Sequence, residues 1–226
     1  MSHMNITRKD ALRRISGFLL CLPLGIGLGG AGQTAPARRV IFTKVEGDTL
    51  DRISEYLNSV RTLKGKFTQL GPQGQLDQGT FYLQRPGRVR FEYNPPNAVL
   101  VVSDGGTIAV ANRKLGTVDR YPLSQTPFGF FLADKIDLRH SPAVLAVEAE
   151  PGSITVRART DRVRYRSDVG FVFSAPGIEL RQWTVTDAQG LNTTVSLSGL
   201  EQGAPLAADL FVLPKKFKPA SGKSRS

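Results

Sequence analysis

Gly79-Thr-Phe-Tyr-Leu-Gln-Arg85-Pro86-Gly87-Arg-Val-Arg-Phe91-Glu-Tyr93-Asn-Pro-Pro96 is the stretch on which the architecture turns. Val89, Phe91 and Tyr93 alternate with Arg88, Arg90 and Glu92, the period of two of a strand with one apolar and one charged face. Phe81 and Leu83 share a face whichever parity points inward. Arg85-Pro86-Gly87 is a turn between the two runs, and Asn94-Pro95-Pro96 ends the second. The unit is an antiparallel hairpin with a greasy side.

The same pattern extends in both directions. Short period-two runs are expected at 63–70, 78–84, 88–93, 98–103, 106–111, 115–121, 143–149, 153–160, 162–167, 169–174, 178–186 and 192–200. Turn residues separate most of them, among them Asp104-Gly105-Gly106, Glu150-Pro151-Gly152, Ala175-Pro176-Gly177 and Asp187-Ala188-Gln189-Gly190. No helical pattern intervenes between most runs, so the chain reads as an antiparallel meander. Residues 48–60 form the one clear helix, with Asp48 as its cap and Leu50, Ile53, Leu57 and Val60 on one face. Residues 38–47 read as a loose lead-in. The segment 125–141 breaks the alternation with dense aromatics and Pro127 at a helix start. A sheet of about ten strands must close, split into two layers or be covered by helices. Two solutions stand at this level: a curved sheet plugged by short helices over residual apolar space, or a filled β-sandwich.

Composition narrows the function. Of the +11 formal charge, residues 1–37 hold +3, which leaves +8 for the remainder. These basic residues are spread along strands, and no RNA-binding signature pairs them with stacking aromatics, so nucleic acid is not the expected partner. Arg8 to Arg14, the apolar run Ile15 to Leu28 and Ala35-Pro36-Ala37 have the anatomy of a cleavable signal peptide. Thr7-Arg8-Lys9-Asp10-Ala11-Leu12-Arg13 also looks like a twin-arginine motif with Lys as the second base, which leaves the Sec and Tat routes open. The expected organisation is a signal peptide at 1–37, one domain at 38–214 and a basic tail at 215–226, the tail either solubilising or touching anionic lipid or an acidic partner. Cys21 is the only cysteine and lies in the leader, so thiol catalysis, disulfides and cysteine metal sites are excluded beyond it. His140 is the only histidine after residue 37, and no nucleophile elbow, phosphate loop or His-rich metal spacing occurs. The reading is a protein without catalytic residues, metal or cofactor.

Order and spacing of several pieces resemble the periplasmic outer-membrane lipoprotein carrier family, LolA. They are Gly65-Lys-Phe67-Thr68-Gln69, the hairpin quoted above, Val101-Val-Ser-Asp104-Gly105, Gln125-Thr126-Pro127-Phe128 and Trp183-Thr-Val-Thr-Asp187-Ala-Gln-Gly190, within about residues 48–214. The resemblance implies an open, incomplete antiparallel β-barrel of about eleven strands, with a lid of short α-helices over an apolar cavity. It implies a monomeric periplasmic carrier of lipoprotein acyl chains, loaded by an inner-membrane ABC transporter complex and emptied by an outer-membrane lipoprotein acceptor. It places a lid latch at Arg85 and Pro86, where the guanidinium bonds lid carbonyls; the alternative is a solvated turn arginine. Phe128, Phe130, Phe131 and Leu132 are the candidate lid residues. Leu50, Ile53, Leu57, Phe67, Phe81, Leu83, Val89, Phe91 and Tyr93 are the candidate cavity lining; packed core is the competing reading for both sets. One departure is Thr107-Ile-Ala-Val-Ala-Asn112, whose side chains are smaller than the family's W-x-Y pattern after the Asp-Gly turn. A lipid-binding sensor or scaffold of the envelope carrying another lipid is the alternative function.

Overall fold

The computed structural model describes residues 40–126, 128–160 and 167–214. The leader, the tail and all but the last residue of the strand expected at 162–167 lie outside the described residues. One sheet of eleven antiparallel strands organises the rest. Its strands are β1 (Thr62–Leu70), β2 (Leu76–Gln84), β3 (Arg88–Tyr93), β4 (Val99–Asp104), β5 (Thr107–Asn112) and β6 (Thr117–Pro122) in the first half. The second half holds β7 (Val144–Glu150), β8 (Ser153–Thr160), β9 (Ser167–Ser174), β10 (Leu180–Thr186) and β11 (Asn192–Gln202). The order is β6-β5-β4-β3-β2-β1-β11-β10-β9-β8-β7. Two meanders therefore meet at the β1–β11 pair, and β6 and β7 remain as open edges. Asp119, Arg120 and Pro122 on β6, and Glu148 and Glu150 on β7, put charge and a missing donor on those edges, which discourages pairing with another chain.

The sheet curls until its inner face meets itself. Phe91 on β3 lies edge-on to Trp183 on β10 with ring centroids 6.0 Å apart, although three strands separate β3 from β10. Phe67 meets Phe91 at 5.3 Å and Tyr93 at 5.0 Å, both edge to face. Glycine makes the space: a Cβ on Gly79 would lie 2.6 Å from the Phe67 ring and 2.1 Å from the Glu92 backbone oxygen. Because backbone cannot yield as a side chain can, Gly79→Ala is expected to cost at least about 1–3 kcal/mol. Urea unfolding of the variant tests this; an unchanged midpoint would refute the tight β2–β3 fit.

Helix α1 (Lys44–Ser59) fills the concave side. It begins earlier than the apolar pattern suggests, and Thr43 rather than Asp48 caps it. The Thr43 hydroxyl accepts from Glu46 N–H, and the Glu46 carboxylate accepts from Thr43 N–H at 2.7 Å, a reciprocal capping box. Asp48 and Asp51 are occupied otherwise: Arg139 pairs with Asp51 at 2.6 Å and Asp48 at 3.6 Å. Leu50, Ile53 and Leu57 are buried in the main core, each contributing about 1.5–3 kcal/mol by leaving water.

The outer face is not uniformly charged, contrary to the alternation of β3. Leu100 and Val102 on β4 and Ala111 on β5 form a second apolar cluster, packed against Val118 and Leu213. Arg90 is buried there; its Nη1 donates to Leu210 O at 3.0 Å and its Nη2 pairs with Glu92 at 2.8 Å. The 3-10 turn Ala208–Phe211 brings the C-terminal segment across β3 and β4. This explains why Val99-Leu100-Val101-Val102 is apolar throughout: both faces of β4 are covered.

Candidate functional site at the lidded rim

The lid follows β6. A 3-10 turn (Leu123–Gln125) leads through Thr126 into a single-turn helix, α2 (Phe128–Phe131). Thr126 is buried, its hydroxyl donating to Leu123 O at 2.8 Å, and its carbonyl accepts from Gly129 N–H at 3.0 Å. Leu132 is buried. Phe131 is buried and stacks face to face on Phe171 of β9, ring centroids 4.5 Å apart and planes 5° from parallel. The lid thus starts from the first half-sheet and rests an aromatic ring on the second. Of the expected lid residues, Phe128 and Phe130 are assigned to α2, with nothing further described of their side chains.

Arg85 reaches this lid from the β2–β3 turn. Its Nη2 donates to Phe131 O at 2.8 Å and its Nη1 to Ala133 O at 2.9 Å. The side chain is buried, and its guanidinium carbon lies 5.9 Å from the Phe131 ring centre. Burial, with the positive charge of Arg61 nearby, pushes the Arg85 guanidinium down to about 10, so it is charged at neutral pH. Its Nε is buried without an acceptor among the described residues. The clasp is charge-assisted and at the same time incompletely satisfied. Pro86 is exposed and makes none of these bonds.

A second clasp is carried by backbone and was not anticipated from the sequence. Gly87 N–H donates to Leu132 O at 2.9 Å, between the two carbonyls that Arg85 holds. Gly87 sits at φ +70°, and a Cβ there would stand 2.6 Å from Gly105 O. The buried Ser103 hydroxyl donates to Gly87 O at 2.7 Å, and Asp104 accepts from the N–H groups of Gly106 and Thr107. The Arg-Pro-Gly turn, the Ser-Asp-Gly turn and the lid carbonyls of Phe131, Leu132 and Ala133, remote in sequence, therefore build one rim. The signal for Gly87 was present as a glycine after Arg85-Pro86, readable only as a turn.

Beyond the lid the chain runs antiparallel to α1 and is stitched to it. Asn58 exchanges two bonds with Ile136, its Nδ2 donating to the carbonyl at 2.8 Å and its Oδ1 accepting from N–H at 2.9 Å. Ser54 Oγ accepts from Leu138 N–H at 3.0 Å, and Asp51 receives Arg139. Asp51, Ser54 and Asn58 share one helix face by their spacing of three and four. The segment after the lid is thereby anchored to α1, which is itself packed on the sheet, while Arg85 and Gly87 hold the lid.

Beneath it, Leu50, Ile53, Leu57, Phe67, Phe81, Leu83, Val89, Phe91 and Tyr93 are all at most 8% exposed and belong to one apolar cluster. Tyr93 carries the one polar note of this set: its hydroxyl donates to the buried Gln69 Oε1 at 2.7 Å. Ile108 and Val110 of the small-residue strand join the same cluster. His140 is exposed against Asp137, its Nδ1 2.9 Å from Oδ2. Hollows of about 370 Å³ and about 210 Å³ flank it, neither lined by the interior residues above. Among the described residues no group of three or more His, Cys, Asp or Glu could hold a metal ion.

An open eleven-stranded sheet wrapped round one helix, with a short lid clasped at the rim, defines the class. The chain belongs to the outer membrane lipoprotein carrier protein LolA family, which matches it over residues 58–214. It is 28% identical over 218 residues to an outer-membrane lipoprotein carrier protein of Methylococcus capsulatus, covering 91% of this chain and 94% of that one. It is 26% identical over 178 residues to one of Cupriavidus taiwanensis, covering 71% and 81%. A LolA superfamily protein of Nitrosomonas europaea aligns in structure over 74% of this chain and 98% of its own, at 9% identity and a TM-score of 0.42.

Proposed function

We propose that the chain is a periplasmic carrier which hides the acyl chains of lipoproteins under the lid that follows β6 and ferries them from the inner to the outer membrane. Each exposed methylene costs about 0.8 kcal/mol in water, so free diffusion of a multiply acylated protein between membranes is negligible. The observation that carries the reading is the clasp: a charged arginine, buried at a cost, holding two lid carbonyls over an aromatic interior. A lid meant only to complete a core is held more cheaply by apolar contact. A lid meant to open gains from a polar clasp whose partners find water once released.

The same reading assigns residues 1–37 to export, 38–214 to the carrier domain and 215–226 to a tail. An inner-membrane ABC transporter would load the monomer and an outer-membrane acceptor would unload it. The protein does no bond chemistry. Ile108 and Val110 stand on β5 where the family resemblance leads one to expect larger aromatics, so the cargo accepted on that side differs from that of a carrier with the aromatic pattern. An environment-sensitive apolar dye is expected to bind the processed protein and be displaced by triacylated lipoprotein more effectively than by free phospholipid. Equal displacement by free lipid would favour the general lipid-binding alternative; no dye binding and no acyl uptake would end the carrier reading.

A further inference from the structure

We infer that a polar collar, built on the hydrogen-bonded pair Gln69 and Tyr93, closes the interior at the end away from the lid and sets how long an acyl chain the protein accepts. The inference rests on the carrier reading above. Burial alternates along β1, β3, β9 and β11, and the buried parity faces the concave side. From the lid end these inward residues are apolar: Val89 then Phe91 on β3, Phe171 then Val169 on β9, Leu197 then Val195 on β11. The next inward position on each is polar, namely Tyr93, Ser167 and Thr193, and on β1 Gln69 follows Phe67. All four are at most 5% exposed. On β2 and β10 the corresponding residues are Gly79 and Val185, so no large apolar side chain extends the greasy wall there.

The collar is built across three strands. Gly79 pairs with Phe67 on one side and Tyr93 on the other. Having no side chain, it lets Tyr93 reach over β2, and the tyrosine hydroxyl donates to Gln69 Oε1 at 2.7 Å. The Phe67 ring stands edge-on to Tyr93 at 5.0 Å and fills the gap above Gly79. Gln69 faces Val195 and lies diagonal to Thr193 on the same side of the sheet. Magnitudes decide what such an end does to a hydrocarbon. Each methylene buried on the way in multiplies affinity about fourfold. The cargo's polar linkage is tied to a protein and stays at the mouth, so only hydrocarbon reaches this depth. It carries no donor or acceptor, and wedging it between Tyr93 and Gln69 breaks a buried bond at a penalty of about five- to a hundredfold. One further methylene does not offset even the low end of that range, so the favourable length ends at the collar.

Displacement of the bound apolar dye by saturated fatty acids, from octanoate to eicosanoate and below their micelle thresholds, tests this. Affinity is expected to climb about fourfold per methylene among the short homologues and to level off at one length. The double variant Q69L/Y93F replaces both members of the pair by apolar side chains of similar size, so neither is left facing the other's unmade bond. It is expected to move the levelling point to longer chains by about two carbons or more. Thr193→Val is expected to move it the same way by less, and carries the test if the double variant does not fold. A pair that serves only the fold would, when replaced, weaken every chain length alike and leave the levelling point in place. Wild-type affinity that climbs all the way to eicosanoate, or a levelling point unmoved in the folded variants, would overturn the proposal and leave the carrier reading standing. Absence of binding at every length would sink both.

Discussion

Arg85→Leu is expected to leave the protein folded and able to take up cargo, and to block its transfer onward. The substitution deletes both bonds to Phe131 O and Ala133 O. Hydrogen bonds to a charged donor contribute about 1.5–3 kcal/mol each, so the closed state loses a factor of roughly ten or more relative to the open one. The closed lid competes with cargo for the interior; without that competition, loaded protein is favoured and release suffers. Global stability moves little, because the lost bonds are made to the lid alone and the buried cluster between α1 and the sheet keeps its packing. Passage of lipoprotein from loaded carrier to acceptor-bearing vesicles is the measurement. Wild-type transfer by a folded Arg85→Leu protein would show that the arginine is a structural turn residue.

Phe131→Ala separates a lid from a core by where the damage falls. If the ring is ordinary core, removing it from its stack on Phe171 costs about 3–5 kcal/mol of global stability. If the lid opens as a unit, the loss is charged to closure, and the chain retains its unfolding midpoint while its interior becomes accessible. The expected result is the second: apolar dye binding raised several-fold at a nearly constant urea midpoint. A large drop in midpoint with unaltered dye binding would place Phe131 in the permanent core. The Gly87 clasp sets a limit on the effect, since its N–H still holds Leu132 O when the ring is gone.

Most of the sheet was legible because period-two alternation and Gly/Pro turns are local signals, and the runs at 63–70, 88–93 and 153–160 lie within one residue of the observed strands. The helix start was read late because Asp48, just before the apolar face, offers a cap of its own; Thr43-Lys-Val-Glu46 carries the full capping-box signature one turn earlier. The charged outer face was misjudged for a reason no local pattern can reveal. Residues 208–213 return from more than a hundred positions downstream to cover Arg90, Leu100 and Val102. Arg85 was identified through resemblance alone, since an arginine before proline looks like any turn charge. Its burial and its two carbonyl partners depend on a lid that sequence showed only as a break in alternation. The stitching of Asn58 and Ser54 to residues 136 and 138 was invisible for the same reason: polar residues on a helix face look solvated until a strand lies across them.

The unpaired margins β6 and β7 have a mechanical meaning. A sealed barrel has its girth dictated by strand count and stagger, and cannot widen without tearing a ladder. Among the described residues β6 and β7 are not paired with each other, so no ladder along that seam dictates the girth of the sheet. On the carrier reading proposed above, an empty and a loaded molecule need not share one girth.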